Sequence, residues 1–170
     1  IWHELVNDTI GGRSILVSFC PLCNAAVVFD RRVGDQTLDF GVSGMLRHSD
    51  MVMFDRQTDS LWQQLSGEAI VGSYTGQRLT VVSSQVVPFG EVERNYPNAK
   101  VLSRKTGYQR DYGRNPYAGY EQTGRTLFPV SYKKSSTIRP LERILTFEEN
   151  GESLGYLLTD WNKLRVRRDK

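Results

Sequence analysis

The chain has 170 residues, with 22 lysines and arginines against 19 aspartates and glutamates and a net charge of +3. That length is enough for one domain with a self-sufficient core, and the two signs interleave along most of it, which gives no basic face for nucleic acid. No apolar run reaches the length of a membrane-spanning helix, no signal peptide is visible, and two cysteines alone do not fix a redox compartment.

Trp2, Leu5 and Val6 fall at helical spacing, which predicts one short helical turn over residues 1–8 with His3 beside its apolar face. Gly11-Gly12 is a turn. Residues 14–19 and 26–29 are rich in β-branched and aromatic side chains and read as strands on either side of Cys20-Pro21-Leu22-Cys23-Asn24. Gly34-Asp35 marks a hairpin tip leading into residues 36–40, where apolar and polar residues alternate. Residues 41–50 read as a glycine-bounded loop that places Arg47, His48, Ser49 and Asp50 in a row. A strand at 51–54, a turn at 55–59 and a helix or strand carrying Leu61, Trp62 and Leu65 follow. Residues 79–87 form a β run ended by Pro88.

The helix signal is strongest at 89–96, with Phe89, Val92 and Tyr96 on one side and Pro97 as the stop. Residues 100–103 read as a short strand. The glycine-, tyrosine- and arginine-rich stretch 106–124 either stacks on bases or sugars or wraps a β core with its rings. Residues 127–130 are expected to re-enter the core, and Lys133-Lys134-Ser135-Ser136 to form a surface turn. Residues 141–147 and 153–158 flank Asn150-Gly151, a hairpin signature. Trp161-Asn162-Lys163-Leu164 echoes Trp2-His3-Glu4-Leu5, so 141–164 reads as a repeat or an exchanged element. The cationic cluster at 163–170 reads as a solvated end. The whole is expected to be mainly β: a single barrel-like or sandwich domain, residues 1–170, of short antiparallel strands with one or two short helices.

The chemistry centres on Cys20 and Cys23. In a thioredoxin-like site the second cysteine opens a helix that lowers the thiol pKa, whereas here a β run follows. In a metal knuckle, Cys-Pro-x-Cys closes a tight turn aiming two thiolates at one ion, and Asn24 suits the left-handed conformation that such a turn needs. With the two histidines, a Cys20, Cys23, His3, His48 site is chemically complete for zinc or copper. The pair could also pack as small hydrophobes. No Gly-x-Ser-x-Gly elbow, His-Glu-x-x-His or phosphate loop is present.

His3-Glu4-Leu5-Val6-Asn7-Asp8, Phe19-Cys20-Pro21-Leu22-Cys23, Val27-Val28-Phe29-Asp30-Arg31, Gly41-Val42-Ser43-Gly44, residues 49–56, Ser60-Leu61-Trp62-Gln63-Gln64 and Phe128-Pro129-Val130 together resemble the bacterial and archaeal family catalogued as domain of unknown function 3179. The resemblance covers about residues 2–145. It implies export to the periplasm, cell surface or medium, and it singles out His3, Cys20, Cys23, Ser49, Asp50, Asp55, Arg56 and Trp62. It also implies a hairpin before the His-Glu segment; this chain lacks it there and carries a similar one at its end. The chain is therefore expected to be truncated at its N-terminus, and strand exchange between copies becomes a route to self-assembly.

Three functions follow. The first is an exported copper- or zinc-binding protein, with the Cys20 and Cys23 thiolates joined by His3 and by His48 or Asp50, whose catalytic form would use Asp50 as base and Arg47 or Arg56 to stabilise charge. The second is an extracytoplasmic thiol–disulfide protein. The third is a non-enzymatic β module for surface assembly, with Asp30-Arg31 and Asp55-Arg56 as strand-end ion pairs.

Overall fold

A computed structural model describes residues 1–131 and 138–159. The expected turn at 133–136, the echo at 161–164 and the basic end lie outside the described residues. Residues 1–117 with 127–130 form one compact unit, and of the other described residues 118–126, 131 and 138–159 belong to a second.

The first unit is built from two four-stranded antiparallel sheets. One has the order β1-β2-β3-β10, with β1 at Leu5–Ile10, β2 at Arg13–Cys20, β3 at Ala25–Asp30 and β10 at Val81–Val82. The other has the order β6-β7-β8-β9, with β6 at Phe40–Arg47, β7 at Asp50–Asp55, β8 at Leu61–Gln63 and β9 at Ala69–Val71. A two-stranded ribbon, β4 (Arg32–Val33) and β5 (Gln36–Thr37), lies between them in sequence. The core draws Leu16 and Phe29 from the first sheet and Phe40, Met53 and Trp62 from the second, each at most 1% exposed. At roughly 1.5–3 kcal/mol for each such side chain removed from water, this layer outweighs local propensity. The arrangement is mainly β and sandwich-like, with no closed barrel among the described residues.

Turn chemistry fixes the hairpins. Gly11-Gly12, both at positive φ, closes β1 onto β2 with Ile10 opposite Arg13. Pro21 to Asn24 form a four-residue turn between paired Cys20 and Ala25, with Asn24 at φ 49° as its left-handed exit. His48 (φ 52°) and Ser49 (φ 64°) make the two-residue turn from β6 to β7.

Several local expectations are corrected. The helical turn expected over residues 1–8 gives way to strand β1, because Leu5 to Ile10 pair in continuous register with Ser18 to Arg13. The loop expected over residues 41–50 is mostly strand: a bulge between Val42 and Leu46, with Gly44 at φ 77°, absorbs the glycines within β6. Of residues 79–87 only Val81–Val82 pair as strand, and 100–103 do not. Leu127 and Phe128 are 60% and 47% exposed, so that segment does not re-enter the core. The segment with Leu61 and Trp62 is strand β8. The expected helix forms as α1, Phe89–Asn95, although it buries no residue.

In the second unit, β11 (Ile144–Glu149) and β12 (Glu152–Leu157) form the hairpin expected from Asn150-Gly151, whose φ angles are 52° and 80°. Arg143 donates to both carboxylate oxygens of Glu121 at 2.7 Å.

A candidate thiol–carboxylate centre

Cys20 ends β2 and Cys23 sits in the turn beyond it, so the hairpin register brings their sulfurs to 2.9 Å as free thiols. The left-handed pair His48-Ser49 then turns the chain back so that the Ser49 carbonyl faces both sulfurs, at 3.9 Å from Cys20 and 3.6 Å from Cys23. Asp50, the first residue of β7, completes the group. Its Oδ1 lies 3.3 Å from the Cys23 sulfur, and its Oδ2 accepts from the Leu65 amide at 3.0 Å. Cys20 and Asp50 are buried, at 1% and 4% exposure, and Cys23 lies at the surface. One ligand atom from each of these three residues falls within 4.8 Å of the others, the one such group of potential metal ligands among the described residues.

The two thiols are not equivalent. The Cys23 S–H donates to the Cys20 sulfur and holds the Cys20 thiol down at about 7, against the opposing pull of burial. Cys23 is pushed well above the ordinary thiol range, first by that same hydrogen bond, then by burial and by the charges of Cys20 and Asp50. Cys20 is therefore the group that ionises first, with Cys23 as its proton-bearing partner.

The histidines do not join this centre, and the expected four-ligand set is not assembled. His3 precedes β1 and its Nε2 lies 2.8 Å from the Tyr112 hydroxyl, with Tyr108 and Tyr112 rings both 5.8 Å from its own. The tyrosine-rich loop thus grips the start of the chain, and the Trp2 indole also donates to the Asp111 carbonyl. His48 is exposed at its turn. Arg47 is exposed and donates to Gln63, while Arg56 lies over the Phe54 ring at 5.3 Å. Asp55 and Trp62 are fully buried and bonded to one another, the indole donating to Oδ2 at 2.9 Å, and Asp55 also accepts from Thr58. Their place is the core. Ser49 contributes its carbonyl to the thiols, and its hydroxyl donates to the Phe128 carbonyl. The strand-end pairs expected at Asp30-Arg31 and Asp55-Arg56 are replaced by Asp30 with Arg13 and Arg32, and Arg31 with Asp39.

Two residues beside the centre were not singled out from sequence. Glu4 and Tyr117 line a cavity of about 200 Å³ together with Cys20, against a wall that includes Val42, Met45 and Leu46. Burial raises the Glu4 carboxyl above its usual range, and burial with the charges of Glu4 and Cys20 raises the Tyr117 phenol. Neither position carries a local signal, since Glu4 reads as one polar position in a short helical turn and Tyr117 as one ring among several.

Fold and site define a sandwich-like β protein in which the dithiol of one hairpin turn meets a buried carboxylate from the start of β7. The family model described as "Protein of unknown function (DUF3179)" matches residues 1–170, the whole chain, and the protein belongs to that family. No curated protein and no solved structure matches it.

Proposed function

We propose that the protein binds a transition-metal ion through the Cys20 and Cys23 thiolates and the Asp50 carboxylate, with zinc preferred to copper. The observation that carries this reading is the convergence of three ligand atoms from two adjacent hairpins, one of them a buried carboxylate. Two thiolates suit either metal, whereas a hard carboxylate oxygen in place of the expected imidazoles shifts the donor set away from copper(I). Zinc–sulfur bonds of about 2.3 Å at a tetrahedral angle place two sulfurs ~3.8 Å apart, so the thiols would open from 2.9 Å on losing their shared proton. Three protein ligands leave one position for water or substrate, the arrangement of catalytic rather than structural zinc.

A second reading has its own support. A thiol held at about 7 beside a proton-bearing partner at 2.9 Å is also the arrangement of a reversible dithiol, which gives up two electrons and two protons to form a disulfide. Elemental analysis of protein purified without chelator, with a free-thiol count, separates the two. Stoichiometric zinc, lost in Cys20→Ser and weakened in Asp50→Ala, is the expected result. Absence of metal with the cysteines oxidised to each other overturns the metal reading in favour of the dithiol.

A further inference from the structure

The cavity beside Cys20 has the composition of a ligand pocket. Among the residues that line it, only Cys20, Glu4 and Tyr117 carry a polar group on the side chain. The facing wall is apolar and open to solvent, with Val42, Met45 and Leu46 at 38%, 47% and 38% exposure around the β6 bulge. Water-facing apolar side chains gathered at a concavity over a buried thiol are what a binding site presents before it is filled.

Glu4 strengthens this reading through its backbone. It sits at φ 59°, and the Leu5 amide donates to the His3 carbonyl across it at 2.6 Å, which makes it the centre of a three-residue turn of the rare, strained kind. A strained residue held beside a reactive group points to function.

We propose that this cavity is the ligand pocket of the thiol–carboxylate centre and that it takes small, uncharged, mainly apolar molecules whose single polar atom meets Glu4. The proposal rests on Cys20, Cys23 and Asp50 being the working site. About 200 Å³ is below the range of drug-sized pockets, which restricts the ligand to a few non-hydrogen atoms. Glu4 and Cys20, with an Asp50 carboxylate oxygen within 4.8 Å of the Cys20 sulfur, set a negative field that excludes anions.

The test uses the full chain stripped of metal, so that its result stands apart from the elemental analysis. Ethyl methanethiosulfonate is the neutral probe and its sulfonatoethyl analogue the anionic one. In each case the Cys20 thiolate attacks the sulfenyl sulfur, a disulfide forms and methanesulfinate leaves. Rates are measured in the Cys23→Ala background, where the mixed disulfide at Cys20 has no neighbouring thiol to displace it, and are divided by each probe's rate with free cysteine. The neutral probe is expected to be favoured by about tenfold. Val42→Trp and, as a second blocking variant, Met45→Trp should each slow the neutral probe by about tenfold. Glu4→Gln should speed the anionic probe by about fivefold. Equal rates for the two probes, or wild-type rates in both tryptophan variants, would overturn the pocket; an unchanged anionic rate in Glu4→Gln would overturn the role of Glu4. A failed metal analysis leaves these rates standing, and failed rates leave the metal result standing.

Discussion

Glu4 holds a backbone conformation that costs a non-glycine residue about 1–2 kcal/mol. What holds it there is the pairing on either side: its carbonyl accepts from the Phe19 amide at 2.7 Å while Leu5 begins β1. Relief of that strain exceeds the chain entropy that glycine adds to the unfolded state, so Glu4→Gly is expected to raise stability by about 1 kcal/mol in urea titration. A loss of stability would show instead that the carboxyl side chain holds the fold together. At the thiols, the Cys23 hydrogen bond is the largest influence on Cys20. A hydrogen bond to the thiolate favours the ionised form, so its removal moves the titration upward. Thiolate absorbance near 240 nm should show a midpoint near 7 in the wild type that rises toward the ordinary thiol value of about 8.5 in Cys23→Ala. The dithiol was legible in the sequence because its spacing and its proline and asparagine describe a turn by themselves. Glu4 was not, since its φ is imposed by strands that meet only in the folded chain. The histidines misled for the same reason: ligand type can be read from composition, but convergence depends on which strand ends meet.

Asp30, the last residue of β3, shows how one strand end is secured. Its carboxylate is 4% exposed and accepts from the side chains of Arg13 and Arg32 and from the Arg32 amide. The Arg32 guanidinium is the chief cause that holds it well below the usual carboxylate range, with Arg13 assisting. Both arginine side chains are largely exposed, at 44% and 63%, so screening limits the ion pairs themselves. Most of the effect belongs to the buried acceptor. Asp30→Asn should therefore cost about 2 kcal/mol at pH 7. Between its depressed folded pKa and the unfolded value of about 3.9, the unfolded chain binds a proton that the native chain does not, so the contribution is lost as pH falls through that window. Denaturation of the two proteins at successive pH values should give curves that converge below about pH 4, and a constant difference would refute the assignment. Element by element, the sequence disclosed most where a turn residue dictates geometry, as at Asn24, Gly34 and Asn150-Gly151. It misled where pairing decides. Three apolar residues at helical spacing lost to the β1–β2 ladder, and glycines that read as a loop became a bulge within a strand.

At the scale of the whole molecule, apolar burial is unevenly distributed. The first unit carries Leu16, Phe29, Leu38, Met53 and Trp62 at no solvent exposure. In the second, β11 and β12 pair only with one another among the described residues, and Ile144, Leu154 and Tyr156 are 48%, 58% and 37% exposed. A two-stranded hairpin by itself is marginal in water, even with Asn150-Gly151 at its turn and the Leu158 amide extending the ladder to the Arg143 carbonyl. Local opening should then expose the hairpin far more often than the sandwich. In hydrogen exchange read by mass spectrometry, amides of β2, β3 and β7 should exchange only through global unfolding, and those of β11 and β12 within about a hundredfold of an unstructured peptide. Repeating the measurement over a range of protein concentrations addresses assembly. Protection of the hairpin that grows with concentration would mean that its edges pair with a strand of another copy, as strand exchange requires, because a hairpin stabilised within its own chain is indifferent to concentration.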